Sequence, residues 1–334
     1  MNPNIAHIVF ASDNRFSEIL GVCLISLYEN STDMEDIIVY ILDSGINETN
    51  RNRINSIAEK YHRSEIIWLP AQDISKVLSM DVSIDRGSIS QYARLFVSSN
   101  LPEKLDRVIY LDCDIIINGS IRELWNLDIH DKTIAALKDA FSPYYRANID
   151  LKKNDIMFNS GVMLINLKRW KEQKIEEKLL DFIKKRNGKI QQGDQGALNA
   201  VLSYDTYCFE PRLNTLTVFY DFNYQEMLIY RKPPKDYYNE EEIKRAIQEP
   251  YIIHFTTSFL SRRPWIIGCH HKYVDKWLRY KGMSPWSTAP LWEADTGRTK
   301  TVEMKLIDLL PRRLMVRLAG IAHAYIRPLK NRFM

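Results

Sequence analysis

Short β-branched and aliphatic runs recur along this chain, at residues 7–11, 37–42, 66–69, 108–111, 134–137, 162–166 and 251–254, and stretches of helical period lie between many of them. Residues 16–28 have that period, as do residues 50–61, where Ile54, Ile57, Ala58 and Tyr61 share one face. Residues 168–185 predict a further helix, closed by Asn187-Gly188 as its stop. This alternation predicts an α/β fold with a mostly parallel sheet flanked by helices on both faces. Such sheets bind ligands beyond the carboxyl ends of their strands, so the chemistry is to be sought there.

One strand carries charge in an unexpected place. Val108-Ile109-Tyr110-Leu111-Asp112-Cys113-Asp114-Ile115-Ile116-Ile117 sets two carboxylates inside an otherwise apolar run. Burying carboxylates without partners costs on the order of several kcal/mol. At i and i+2 they point the same way, or converge where the strand ends. Converging carboxylates repel unless a cation lies between them, which makes Asp112 and Asp114 a divalent-metal site; the competing reading is an edge strand whose Asp residues face water.

Three activities compete for such a site. A dinucleotide oxidoreductase needs G-x-G-x-x-G after its first strand, and residues 7–13 lead into no such loop. A dehalogenase-type phosphatase places Asp-x-Asp on its first core strand, whereas several strand–helix units precede Asp112. A nucleotide-sugar transferase, whose Asp-x-Asp metal bridges donor phosphates, accommodates the rest of the chain.

The net charge of +4 conceals an asymmetry: residues 298–334 hold nine Lys/Arg against Glu303 and Asp308, a charge of +7, which leaves residues 1–297 at −3. From Leu314, the residues Leu318, Ile321 and Tyr325 continue one helical stripe, widened by Met315, Ala322 and Leu329. Arg312, Arg313, Arg317, His323, Arg327 and Lys330 fall on the other side. Pro311 suits a first helical turn, and Pro328 an end or a kink. The pattern predicts a basic amphipathic helix docked on an anionic membrane surface; the alternative is a helix packed on the catalytic domain with its basic face in water.

The chain thus divides into a catalytic domain (1–282), a linker rich in Pro, Ser, Thr and Gly (283–297) and a membrane-associating tail (298–334). No apolar run approaches the ~18–20 residues of a membrane span. Met1-Asn2-Pro3-Asn4 leads directly into a strand, with no signal-peptide pattern. Cys23, Cys113, Cys208 and Cys269 form no C-x-x-C pair, and Trp125, Trp170 and Trp277 read as core. A cytoplasmic protein is expected, peripheral on the inner face of the plasma membrane, with reduced cysteines and no nucleic-acid partner.

Seven stretches, in order, resemble glycosyltransferase family 8, which includes bacterial lipopolysaccharide galactosyl- and glucosyltransferases and, more distantly, glycogenin. They are Ile8-Val9-Phe10-Ala11-Ser12-Asp13, Tyr92-Ala93-Arg94-Leu95, Tyr110-Leu111-Asp112-Cys113-Asp114, Phe158-Asn159-Ser160-Gly161-Val162, Leu164-Ile165-Asn166-Leu167 with Trp170, Asp194-Gln195, and His254 followed by Arg263-Pro264-Trp265. The resemblance covers roughly residues 7–280. It implies a GT-A nucleotide-diphospho-sugar transferase fold, a UDP-glucose or UDP-galactose donor, a Mn²⁺ or Mg²⁺ ion, and retention of anomeric configuration. A lipid-linked saccharide acceptor, as in lipopolysaccharide or capsule, fits such an enzyme.

Residue by residue, the resemblance implies that Ala11, Ser12 and Asp13 line the uracil and ribose pocket. Arg94 becomes a fixed cation of the donor region, and Asp112, Asp114 and His254 become metal ligands. Mixed oxygen and imidazole ligation favours Mn²⁺. Cys113 lies within the donor-binding stretch and has no role of its own. Asp139 falls against the donor sugar, and Asn159, Ser160 and Gly161 in a tight loop whose backbone approaches it. Asp194 and Gln195 fall beside the anomeric carbon. Structural roles stay open for Asp13 (helix cap), Arg94 (surface helix), Asn159 (turn) and His254 (core histidine).

The chain departs from the family after His254. The family has a short Gly-containing loop and then Lys-Pro-Trp; here the segment to Trp265 is longer, lacks the Gly, and has Arg for Lys. Arg263 is the expected diphosphate contact, with Arg262 as the alternative, since Arg can bind phosphate oxygens in a bidentate manner. No Asp or Glu in a matching stretch is an obvious nucleophile. The acceptor hydroxyl is therefore expected to attack from the face that UDP leaves, with Gln195 supporting the cationic centre; a covalent intermediate on Asp194 is the alternative. A phosphatase acting through Asp112 and a catalytically idle UDP-sugar-binding protein are the rival functions.

Overall fold

The computed structural model describes residues 2–83, 88–294 and 310–332. Its strands are β1 (Ile5–Ser12), β2 (Asp36–Asp43), β3 (Ile67–Pro70), β4 (Arg107–Leu111), β5 (Ile115–Ile117), β6 (Ile134–Lys138), β7 (Phe158–Asn166), β8 (Thr206–Cys208), β9 (Thr215–Leu216) and β10 (Ile252–His254). Seven of them form one sheet, ordered β3-β2-β1-β4-β7-β6-β8, in which only β7 runs antiparallel to its neighbours. The expected strand at 251–254 does not join it: β10 lies between β5 and β9 in a separate three-stranded sheet.

Alternate residues of the central strands feed two cores. Ile8, Phe10, Ile109, Leu111, Val162 and Leu164 enter one, while Val9, Val108, Tyr110, Met163 and Ile165 enter the other. Both alternating sets are apolar, as a sheet covered on two faces requires. The helix Ser17–Asn30 is buried along most of its length. It packs beside the small sheet, and Ser26 Oγ accepts from Ile117 N at 2.9 Å. A helix covered on so many sides has little use for a polar stripe.

Three expectations need correction. Residues 168–185 form two helices, Leu167–Glu172 and Ile175–Lys185, separated where Lys174 adopts a left-handed φ of 54°. The break lets Gln173 Nε2 reach Asp205 at 2.7 Å, while Ile175, Leu179 and Ile183 line the buried face of the second helix. Residues 283–294 are no loose linker. Trp286 is buried against Gly21, where an added Cβ would lie 2.5 Å from its ring, and Trp292 N donates to Trp265 O at 2.7 Å. Residues 295–297 of that segment, and the start of the tail, fall outside the described residues.

The third correction concerns the tail. It is helical from Arg312 to Arg332 with a π-turn at Ala322–Ile326, so Pro328 does not end it. Proline lacks the N–H that would bond the carbonyl four residues back, and Ser142 Oγ donates to that carbonyl, Ala324 O, at 2.8 Å. Met315, Val316, Gly320, His323 and Ala324 face the domain, so Met315 leaves the outward stripe and His323 leaves the basic face. Leu314, Leu318, Ile321, Tyr325 and Leu329 remain exposed.

At Gly320 the tail helix comes so close to the helix Tyr224–Arg231 that an added Cβ would lie 2.5 Å from Ile229 O. Gly320→Ala is expected to weaken tail docking by about 1–3 kcal/mol. Hydrogen exchange should then accelerate in the helix Arg312–Ile321 and stay unchanged in β1 and β4.

Candidate active site

β4 ends at Leu111, and the chain turns through Asp112 and Asp114 into β5. Asp112 N donates to Gly161 O on β7 at 2.7 Å, and Asp114 O accepts from Phe255 N at 2.9 Å. The two carboxylates are thereby fixed against β7 and against the end of β10, where His254 stands. His254 Nε2 lies 3.2 Å from Asp114 Oδ1 and 3.9 Å from Asp112 Oδ2. One ligand atom from each of the three residues falls within 4.8 Å of the others.

A chain of side-chain amides sets the imidazole. Asn159 Oδ1 accepts from Gly161 N at 3.1 Å and from Asn214 Nδ2 at 2.9 Å. Asn214 Oδ1 is then the acceptor facing His254 Nδ1 at 3.0 Å, so Nδ1 carries the proton. His254 Nε2 is the ring nitrogen that faces the two carboxylates. A divalent cation fits the mixed oxygen and nitrogen donor set that converges there. Asn214 escaped the sequence reading because nothing in its local pattern distinguishes it from an ordinary buried amide.

Asn159, Ser160 and Gly161 do not form the expected tight loop. They belong to β7, where the pairing with β6 jumps from Ala136↔Met163 to Leu137↔Asn159. Such an irregularity bows a strand out and re-aims its side chains. Gly161 passes beneath the metal ligands, and an added Cβ would lie 2.3 Å from His254 Cε1 and 2.7 Å from Asp112 Oδ2.

Arg94 is buried rather than a surface residue. Its guanidinium reaches Asp112 Oδ1 at 2.7 Å, Asp194 Oδ2 at 2.9 Å and Ser160 O at 2.9 Å, and lies over the Tyr110 ring. Burial pulls its pKa down, but the carboxylates of Asp112 and Asp194 outweigh that and hold it above its ordinary value. Gln195 Oε1 lies 3.4 Å from Ser160 N, and its Nε2 lies 3.4 Å from Asp139 Oδ2. Asp139 lines a small separate cavity with Arg146 and Tyr237 and touches the cleft residue Gln195.

The cleft is lined by Ala11, Asp13, Arg94, Asp112, Cys113, Asp114, Asn159, Ser160, Asp194, Gln195, His254 and Arg263, together with Phe16, Ser88, Ser90, Gln91, Tyr110 and Gln192, which the sequence reading missed. Asp13 does both things open to it, capping the turn Asn14–Phe16 through Oδ1 while facing the cleft. Ser12 is buried and does not line it. Burial pushes the Cys113 thiol up, and Sγ donates to Ala11 O at 3.4 Å. Arg263 Nη2 lies 3.2 Å from Asp114 Oδ2, whereas Arg262 turns away to Ile267 O at 2.8 Å.

Gly161→Ala is expected to abolish divalent-cation binding through that steric conflict. Asn214→Ala should weaken binding about 10–100-fold by releasing the imidazole. Titration calorimetry with Mn²⁺ measures both, and undiminished affinity in Asn214→Ala would contradict the orienting role.

Several known proteins are similar to this chain. General stress protein A of Bacillus subtilis is 27% identical over 290 residues, covering 85% of this chain and 96% of that protein. A lipopolysaccharide 1,2-glucosyltransferase of Escherichia coli K12 is 24% identical over 283 residues, covering 84% and 78%. A putative glycosyltransferase of Haemophilus influenzae matches over 58% of either chain, and the longer glycosyltransferase GlyD of Streptococcus pneumoniae is spanned to 31% of its length. The solved structure of the galactosyltransferase LgtC with donor and acceptor sugar analogs matches with a TM-score of 0.70 over 88% of this chain and 99% of that one, at 23% identity. The fold is therefore the GT-A fold expected from the sequence. A model of glycosyl transferase family 8 matches residues 7–266, from β1 through both aspartates to the histidine and beyond it, and the chain belongs to that family.

Proposed function

We propose that this chain moves glucose or galactose from a UDP-sugar to a lipid-linked saccharide acceptor with retention of configuration, using Mn²⁺, or Mg²⁺, held by Asp112, Asp114 and His254. The observation that carries this reading is the convergence of Asp112, Asp114 and His254, one ligand atom from each lying within 4.8 Å of the others. When bound there, a divalent cation supplies positive charge opposite the donor's diphosphate. Relatives with lipopolysaccharide in their names support the acceptor class.

The remaining work falls to side chains. Arg263 is the cleft cation that can exchange its contact with Asp114 for phosphate oxygens, where it would stabilise charge on the departing UDP. Arg94 is already committed to Asp112, Asp194 and Ser160, so it orients ligands rather than meeting the diphosphate. One oxygen of Asp194 is held by Arg94 at 2.9 Å, which makes that carboxylate a poor nucleophile. Attack by the acceptor hydroxyl from the face that UDP leaves is the better supported course. The bond from the anomeric carbon to the phosphate oxygen breaks, the bond to the acceptor oxygen forms, and the hydroxyl proton passes to the leaving phosphate. Gln195 supports the cationic centre between them.

Asp112→Ala and Asp114→Ala are each expected to abolish transfer, measured as UDP released from UDP-glucose and UDP-galactose. EDTA should do the same, with Mn²⁺ restoring activity best. Full activity in EDTA would refute the metal site.

The tail completes the proposal as a dock on anionic lipid. The chain has no helix, among the described residues, long and apolar enough to cross a membrane. The tail nevertheless turns Leu314, Leu318, Ile321 and Leu329 to solvent beside exposed Arg313, Arg317, Arg327 and Lys330. Each Lys or Arg near anionic lipid contributes about 1 kcal/mol, and the apolar stripe adds area to bury. The combined variant Leu314→Ser, Leu318→Ser, Ile321→Ser should sediment far less with phosphatidylglycerol vesicles at low salt while keeping UDP-sugar hydrolysis. Unaltered sedimentation would remove the membrane role.

A further inference from the structure

The segment after His254, where the chain departs from its family, is anchored at three places. Its beginning stays at the metal ligands, with Phe255 N donating to Asp114 O at 2.9 Å. Its end returns there, because Arg263 Nη2 lies 3.2 Å from Asp114 Oδ2 and 3.1 Å from Thr257 Oγ1. Its middle is held elsewhere. The hydroxyls of Ser258 and Ser261 donate to the two carboxylate oxygens of Asp221, one each. Between them Phe259 packs against Phe222 and Tyr230, with ring centroids 5.8 and 5.3 Å apart. Asp221 is itself fixed from the far side: Arg312 of the tail helix donates to its carbonyl at 2.7 Å and is paired bidentately with Glu226 at 2.7 and 2.8 Å.

We propose that Asp221 is a positioning residue for donor binding, pinning the lengthened 255–263 segment so that Arg263 is presented to the donor's diphosphate. This rests on the reading of Arg263 as the diphosphate contact. A segment this long, without its middle anchor, samples many conformations, and the cost of ordering it falls on the ligand that needs it ordered. Asp221 meets that cost in advance by accepting from two hydroxyls that no other side chain in the segment engages. Arg312 extends the brace to the tail helix, so the element facing outward and the strap facing the donor share one corner.

The test is titration calorimetry of the full chain in Mn²⁺, with UDP and with uridine. Asp221→Ala should bind UDP about tenfold more weakly, as expected for losing hydrogen bonds to a charged acceptor, and bind uridine unchanged. Asp221→Asn, which offers one serine an acceptor and the other a donor, should recover most of the loss. The double variant Ser258→Ala, Ser261→Ala removes the same bonds from the other side and carries the test should Asp221→Ala fold poorly. In an Arg263→Ala background, Asp221→Ala should cost nothing further, since the two act through one contact. Unchanged UDP affinity in Asp221→Ala and in the double serine variant, with Arg263→Ala impaired, would overturn the positioning role. Equal losses for uridine and UDP would overturn it also. Unchanged UDP affinity in Arg263→Ala would instead refute the diphosphate reading.

Discussion

Arg94 is 7% exposed, and its guanidinium joins the turn after β4, the bowed part of β7 and the helix Gly193–Leu202 through Asp112, Ser160 and Asp194. Withdrawing such charges from water is costly, and removing one member of a buried set strands the others at about 3–5 kcal/mol. The arrangement therefore ties three segments distant in sequence to one geometry. It also divides the work of Asp112. Oδ1 is committed to Arg94 and to Tyr110 OH, which leaves Oδ2 on the side of His254.

The charge balance of the cleft follows from the same residues. Asp13, Asp112, Asp114 and Asp194 line it against Arg94 and Arg263, an excess of two negative charges if the histidine is neutral. Close carboxylates repel unless a cation offsets them, and His254 Nε2 faces the same two as a third donor group. A divalent ion matches both the charge and the donor set.

The features legible in the sequence were those set by period and by local chemistry. Strand alternation announced the two-faced sheet, and two carboxylates in an apolar run announced two of the three side chains that could hold a metal ion. What could not be read depends on contacts distant in sequence. The bow in β7 is a matter of register with β6, and Gly161 is needed because an imidazole 93 positions away lies over it. Asn214 joins the site through Asn159 and His254, and Asp139 lines a separate cavity beside Gln195. The Ser- and Pro-containing stretch after residue 282 looked like a linker by composition, yet Trp286 and Trp292 supply it with core contacts. Composition averages over a segment, whereas two aromatic side chains decide where it sits.

The tail poses the last question of consistency. A helix that met the domain through its apolar stripe would leave only its basic face to water. Here the inner face carries Met315 and Val316 in the core, followed by small and polar groups: Gly320 against Ile229, Ala324 whose carbonyl is taken by Ser142, and neutral His323 among Phe141, Tyr145 and Tyr230. Burial, with Arg231 and Arg327 nearby, lowers the His323 pKa to about 2, so the imidazole stays uncharged in the docked helix. Polar contacts of this kind fix position closely, while Met315 and Val316 supply the apolar part of the docking. Docking on the domain thus leaves the leucines of the tail outside, and their exposure is a product of how the helix is seated rather than of its coming loose. A stripe held outward in this way is the part of the tail that the fold of this chain, by itself, does not use.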